Sequence, residues 1–303
     1  MEKQHPIPAT LNILLTCLLV AISLSLFYFA HVSASWGLKS ALAVIFSLLM
    51  IPVYSLLHEA MHNSFHPNRK MNDFYGNILG CLFFVPLNFI RFTHNGHHKR
   101  NRSDYEMFDL YYPHHYKFQR YVFFYSIILF YWILLPLVTL FIVLAPGLLK
   151  KRLILENISI KGMIQHLDNK FFPTMRIEGV VILIFQFFLL WLINFDYKVY
   201  FVFYAFHCFS WSSQNYVNHA FSKRDIQEGA HNHYMPIIAQ KFFLNFNLHE
   251  IHHRNPTLPW NYLSQFEPRD HKGRISYFKA WLRMWKGPIL TQENCPLGIT
   301  KLS

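Results

Sequence analysis

The chain has 303 residues, of which 53% are hydrophobic and only 15% are charged. That balance excludes an ordinary soluble domain and points to one membrane domain of several helices with a modest soluble cap. The formal charge of +12 lies beside apolar stretches, so anionic headgroups and the positive-inside rule account for it better than nucleic acid does.

Two strong spans come first, Leu11 to Ala30 and Leu38 to Leu57, each near the ~20 residues a bilayer requires. Their length and close succession argue for membrane spans rather than a cleaved leader. The link between them, His31 to Lys39, carries one Lys and no Arg. It therefore reads as the outer side, with Lys3 and His58 at the cytoplasmic ends. The softer stretch Phe74 to Phe92 holds Gly76, Gly80 and Pro86 and reads as interfacial or re-entrant. Tyr121 to Leu149 has basic flanks at both ends, Arg120 before it and Lys150, Lys151 and Arg152 after it. It is too short to cross twice, and Pro136 permits a bend, so a shallow or re-entrant segment is expected. Two further spans, Ile177 to Ile193 and Lys198 to Gln214, are joined by a tight outer turn, Asn194 to Tyr197. They return the chain to the cytoplasm before His219, and Phe221 to Ser303 forms a cytosolic helical cap. The expected fold is all-α: a polytopic bundle of about four spans with re-entrant or interfacial helices. Cys17, Cys81, Cys208 and Cys295 stand singly, which excludes a disulfide framework and a thiolate zinc site.

Among 19 histidines, spacing matters more than number. His58 and His62 form HxxxH. His94, His97 and His98 form HxxHH, and His249, His252 and His253 form it again. On a helix, positions i, i+3 and i+4 share a face, so each box can aim two or three imidazoles at one point. Imidazole nitrogen suits zinc, copper, iron and nickel. Eight boxed histidines exceed what one ion can take, so two ions are the natural count, and His219 makes a ninth ligand.

These boxes resemble the membrane fatty acid desaturase and hydroxylase superfamily, whose members carry HxxxH, HxxHH and HxxHH in this order between spans. The matching stretches are HEAMH (His58 to His62), HNGHH (His94 to His98) and HEIHH (His249 to His253), the last inside NFNLHEIHHRNPTLPW. The segment NYVNH, Asn215 to His219, is similar to the extra Asn/His contribution of stearoyl-CoA-type desaturases. The resemblance covers about Ser55 to Trp260 and treats the whole chain, 1–303, as one desaturase-like membrane domain. It implies two irons held by His58, His62, His94, His97, His98, His219, His249, His252 and His253, with Asn215 binding directly or through water. It further implies O2 as co-substrate, a lipid or acyl substrate, and electrons from a separate ferredoxin or cytochrome b5-like donor with its reductase. A bacterial inner membrane, with the boxes on the cytoplasmic side, is the expected location.

Lipid desaturation is the leading expectation, because cleaving an unactivated C–H bond demands an oxidant that side chains alone cannot supply. A hydroxylase or ketolase acting on an acyl lipid, alkane, sphingolipid or carotenoid is the near alternative. HEAMH also reads as the zinc-protease motif HExxH, but that reading would leave both HxxHH boxes idle. A metal transporter should place its ligands near the bilayer midplane, whereas only His207 lies inside a span. Metal-bound imidazoles pass their second N–H to a carboxylate or carbonyl, and Glu59, Asp104, Glu106 and Glu250 are candidates. His66 could extend the face of His62. His114, His115, His231 and His233 read as surface residues of polar loops, and His207 as a satisfied buried group or a tunnel lining.

Overall fold

An apolar run that crosses hydrocarbon can satisfy its backbone only as a helix or a closed barrel, and this chain takes the helical solution. The computed structural model describes residues 5–152, 156–267 and 274–297. Helices α1 (Ala9–Val32) and α2 (Trp36–His62) cover the first two expected spans. The Ser35 side chain accepts the Leu38 N–H and caps the start of α2. At the other end Asn63 adopts a left-handed φ of 62°, and its N–H turns back on the Glu59 and Ala60 carbonyls. α2 therefore stops directly after the first histidine box.

The stretch expected to be interfacial or re-entrant is a bent pair. α3 (Arg69–Phe83) and α4 (Leu87–Arg100) meet at 91°. Phe84 turns the chain with a φ of 59°, and Pro86 precedes α4. A Cβ on Gly80 would lie 2.7 Å from the Val85 carbonyl, so the turn requires glycine there.

Helices α5 (Lys117–Leu144), α6 (Ile158–Ile164), α7 (Phe172–Leu192) and α8 (Tyr197–Asn215) follow. The bend expected near Pro136 is replaced by one continuous helix of 28 residues. Among the described residues, four helices are long and apolar enough to cross a membrane: Ala9–Val32, Trp36–His62, Lys117–Leu144 and Asn169–Leu192. α8 falls outside that set, because His207, Ser210, Ser212, Ser213, Gln214 and Asn215 dilute its apolar content. It packs instead between α2 and α5.

The two ends of the bundle are distinguished by polar contacts. Asp196, in the turn between α7 and α8, lies 3.6 Å from Lys39 and 3.7 Å from His31, so both tight turns share one end. The histidine boxes occupy the opposite end. α5 meets that histidine end twice: Tyr125 donates to the Trp285 carbonyl (2.8 Å), and the Val143 carbonyl accepts from Arg176 (3.1 Å), at the start of α7. At the bundle centre the rings of Phe27, Phe46 and Phe203 pack with centroids 4.3–5.4 Å apart.

The cap holds α9 (Ile237–Phe242), α10 (His249–Arg254) and α11 (Tyr277–Met284). A short parallel ladder pairs β1 (Leu110–Tyr111) with β2 (Ile289–Leu290). Trp260, of the Pro-Trp pair after the third box, ties cap to bundle. Its backbone N–H donates to Glu59 (3.2 Å) and its indole to Asn12 (2.9 Å).

Candidate metal centre

Four separate pieces of chain deliver the histidines: the last turn of α2, the second half of α4, the turn after α8, and α10. All nine expected histidines converge, and they divide into two groups. One contains His58, His62, His94, His98 and His252, the other His97, His219, His249 and His253; within each group the candidate ligand atoms lie within 4.8 Å of one another. The second box therefore splits, with His97 in one group and His94 and His98 in the other. The third box splits likewise.

The nitrogen spacing fits an ion. In the first group Nε2 atoms approach at 2.8 Å (His62–His94), 3.1 Å (His94–His98) and 3.1 Å (His98–His252). In the second the spacings are 3.2 Å (His97–His219) and 3.1 Å (His219–His249). Two nitrogens held ~2.1 Å from one metal at right angles stand about 3 Å apart. Nε2 of His58 and both ring nitrogens of His253 are buried without a hydrogen-bond partner among the described residues, an expensive arrangement that a bound cation would relieve. Burial first, then the neighbouring imidazoles, hold His219, His249, His252 and His253 below the ordinary imidazole pKa. They are thus kept in the neutral form that metals bind.

Of the four carboxylates expected behind the boxed imidazoles, one lies against such a ring. Glu106 lies 2.5 Å from His97 Nδ1 and is itself held by Arg100 at 3.2 Å. Glu59 accepts from Trp260, Asp104 binds Arg224 (2.6 Å) and Tyr112 (2.8 Å), and Glu250 binds Arg254 (2.6 Å) and Asn232 (3.1 Å). The partner of His219 is a backbone group, since its Nδ1 lies 2.9 Å from the Gly229 carbonyl. A Cβ on Gly229 would collide with the Asp225 carbonyl and with Arg102. Glu106→Gln keeps the shape and removes the charge behind His97, so metal affinity of the second group should fall ~10–100-fold. A chelator titration followed by metal analysis should show one of two metals leaving early; identical titration curves would contradict this.

The polar segment around His231 and His233, expected at the surface, is instead a brace. The His233 N–H donates to the Asn247 carbonyl (2.9 Å) and the His249 N–H to the His231 carbonyl (3.2 Å), which fixes the third box beside Gly229. His233 is fully buried, and burial pushes its pKa down to about 3. The unfolded chain binds a proton near pH ~6.5 that the folded chain refuses until near pH 3. Stability should therefore fall as pH drops through that window, by about 1.4 kcal/mol per pH unit from this group. Thermal unfolding of His233→Gln should show a correspondingly shallower acid slope; an unchanged slope would remove the assignment.

Other expectations fare unevenly. His66 joins neither group, its Nδ1 accepting the Asn68 N–H at 2.9 Å. His207 is buried, but it is not satisfied: both ring nitrogens lack partners among the described residues, and Phe46, Phe83, Trp132 and Tyr204 surround it. Asn215 lies on the wall of a cavity of about 130 Å³. That cavity reaches His94 of one group and His97, His219 and His249 of the other. Tyr54, Ile127, Tyr131, Leu135, Trp211 and Phe246 supply much of its remaining wall.

No curated protein and no solved structure matches the chain. The family model described as fatty acid desaturase matches residues 33–284, a stretch that contains all nine clustered histidines, and the chain belongs to that family of membrane oxidoreductases.

Proposed function

We propose that this chain is an O2-dependent di-iron lipid desaturase, holding one iron in each histidine group and taking electrons from a separate ferredoxin or cytochrome b5-like donor with its reductase. The observation that carries the reading is the pairing of five- and four-histidine groups beside a largely apolar cavity that reaches histidines of both. Two irons bound there would supply the oxidant needed to take hydrogen from an unactivated carbon. The balance is one O2, two electrons, two protons and the two substrate hydrogens, giving one double bond and two waters.

The residues around the irons have separate tasks. His58, His62, His94, His98 and His252 hold one ion, and His97, His219, His249 and His253 the other. Asn215, on the cavity wall, completes the second group directly or through water. Glu106 and the Gly229 carbonyl orient His97 and His219. Aromatic and aliphatic walls exclude water from the substrate carbon. A zinc protease fits poorly: such a site needs an open position and a free general base, whereas Glu59 is engaged by Trp260. We place the histidine end on the cytoplasmic side of a bacterial inner membrane, with Lys99, Arg100, Lys150 and Lys151 marking it by the positive-inside rule.

The test is a mass profile of lipids from cells producing the chain or its His97→Ala variant, with metal analysis of both purified proteins. Loss of two hydrogens from one lipid class, only with the unaltered chain, supports desaturation. Gain of one oxygen moves the activity to hydroxylation on the same site. Purified protein that binds zinc but no iron would end the reading.

A further inference from the structure

The two ring nitrogens of His249 meet different surroundings. Nε2 faces Nε2 of His219 at 3.1 Å, inside the second group. Nδ1 is buried and has no hydrogen-bond partner among the described residues. A metal-bound imidazole ordinarily passes its second N–H to a carboxylate, a carbonyl or a water, and His97 and His219 have Glu106 and the Gly229 carbonyl in that place. A small interior cavity of about 10 Å³ adjoins His249. That is room for a single water, which settles where it can make about three hydrogen bonds. Ser55 and Glu59 of α2 share the cavity wall with His249, and Leu244 and Leu263 supply apolar closure. The Trp260 N–H donates to Glu59 at 3.2 Å and fixes the carboxylate at this wall. The Ser55 hydroxyl hydrogen is directed to the Phe243 and Ile51 carbonyls, at 2.9 and 3.1 Å, so its oxygen has lone pairs left to accept.

We propose that one water occupies this cavity, accepting the Nδ1 hydrogen of His249 and donating to the Glu59 carboxylate and to the Ser55 hydroxyl oxygen. All three hydrogen bonds of the water are then satisfied. The inference rests on the reading of the two histidine groups as ion sites. Glu59 is a positioning residue for the second group, although it stands in the first box, between His58 and His62. With the water behind it, the His249 ring is held with its hydrogen on Nδ1, which leaves Nε2 free for an ion. The helix that carries two ligands of the first group is thereby joined to a ligand of the second, so the two sites are built as one unit.

The test reads metal alone. Apoprotein in detergent is titrated with cobalt(II), which imidazole binds and whose visible absorbance follows occupancy. The unaltered protein should bind two ions. Glu59→Leu should weaken one of them about 10–100-fold and leave the other as it was. Made on His97→Ala, whose second group is already impaired, Glu59→Leu should leave the remaining tight site unchanged. Glu59→Gln, whose amide oxygen can still take the water's hydrogen, should hold both ions as the unaltered protein does. Leu263→Phe fills the cavity from its apolar wall and alters neither Glu59 nor a histidine. It should reproduce the loss seen in Glu59→Leu, and it decides the matter alone if Glu59→Leu does not fold. Weakening of the tight site on the His97→Ala background would mean that Glu59 serves its own box, and overturns the proposal. So does unchanged cobalt binding in Leu263→Phe, or an unaltered protein that binds fewer than two ions. Cobalt binding needs no O2, lipid or electron donor, so a missing oxidation product would count against the proposed enzyme and leave this result standing.

Discussion

If each histidine group holds one iron, as proposed, replacing His253 by Ala should leave the purified protein with about one iron per chain against two for the unaltered protein, and should abolish the proposed lipid oxidation. The four-histidine group has no ligand to spare, and His253 sits where both groups meet. Its ring lies 4.4 Å from that of His98, 4.9 Å from His249, 5.0 Å from His219 and 5.1 Å from His97. Both of its nitrogens are otherwise unpartnered, so the substitution removes no competing hydrogen bond and its effect reports on metal. His66→Ala is the matched control, because that imidazole serves only the Asn68 N–H and both irons should stay. Metal analysis with a lipid mass profile decides the matter. Two irons and full activity in His253→Ala would dismiss the two-group assignment.

How much of this site can be read from the chain depends on the range of the interactions involved. HxxxH and HxxHH are legible because helical periodicity is local: i, i+3 and i+4 share a face whatever the tertiary structure does. The division of His97 from His94 and His98 is not legible, since it depends on where α10 and the turn after α8 arrive. Glu106 is only eight residues beyond His98 and could be guessed as a partner by proximity. Gly229 could not, because a backbone carbonyl has no residue signature and the glycine is dictated by Asp225 and Arg102 packing against it. Segment polarity misled for His231 and His233: their polar neighbours serve a buried brace, a long-range pairing with residues 247–249. In α5 only the bend misled. Basic flanks suggested a segment with both ends on one side, which the contacts of Tyr125 and Val143 fit; an interior proline removes a hydrogen bond and crowds the carbonyl four residues before it, yet the surrounding apolar run sustains one helix through Pro136.

The buried network behind the second group was not visible in the spacing at all, and it supports the last large effect. Arg102, two residues past α4, is enclosed with Asp109. Its guanidinium meets both carboxylate oxygens, at 2.5 and 3.2 Å, and donates to Tyr216 (2.8 Å) and to the Ser222 carbonyl (2.9 Å). Asp109 also accepts from the Tyr216 hydroxyl and from the Phe221 N–H. Tyr216 and Phe221 flank His219, so one carboxylate fixes the exit of the second box against the turn that carries the ninth histidine. Asp109→Ala would leave a buried guanidinium uncompensated, which costs about 3–5 kcal/mol and should lower the unfolding midpoint by roughly 10 °C. Arg102→Met with Asp109→Leu should recover much of that loss, because replacing a buried pair by apolar groups is often close to neutral. Metal content separates the two functions of the network. If it only stabilises the cap, the double variant regains both irons along with its melting temperature. If it also aims His219, the double variant regains stability but still binds the second iron weakly, and the latter is expected, since two apolar side chains cannot hold Tyr216 and the Phe221 N–H in place.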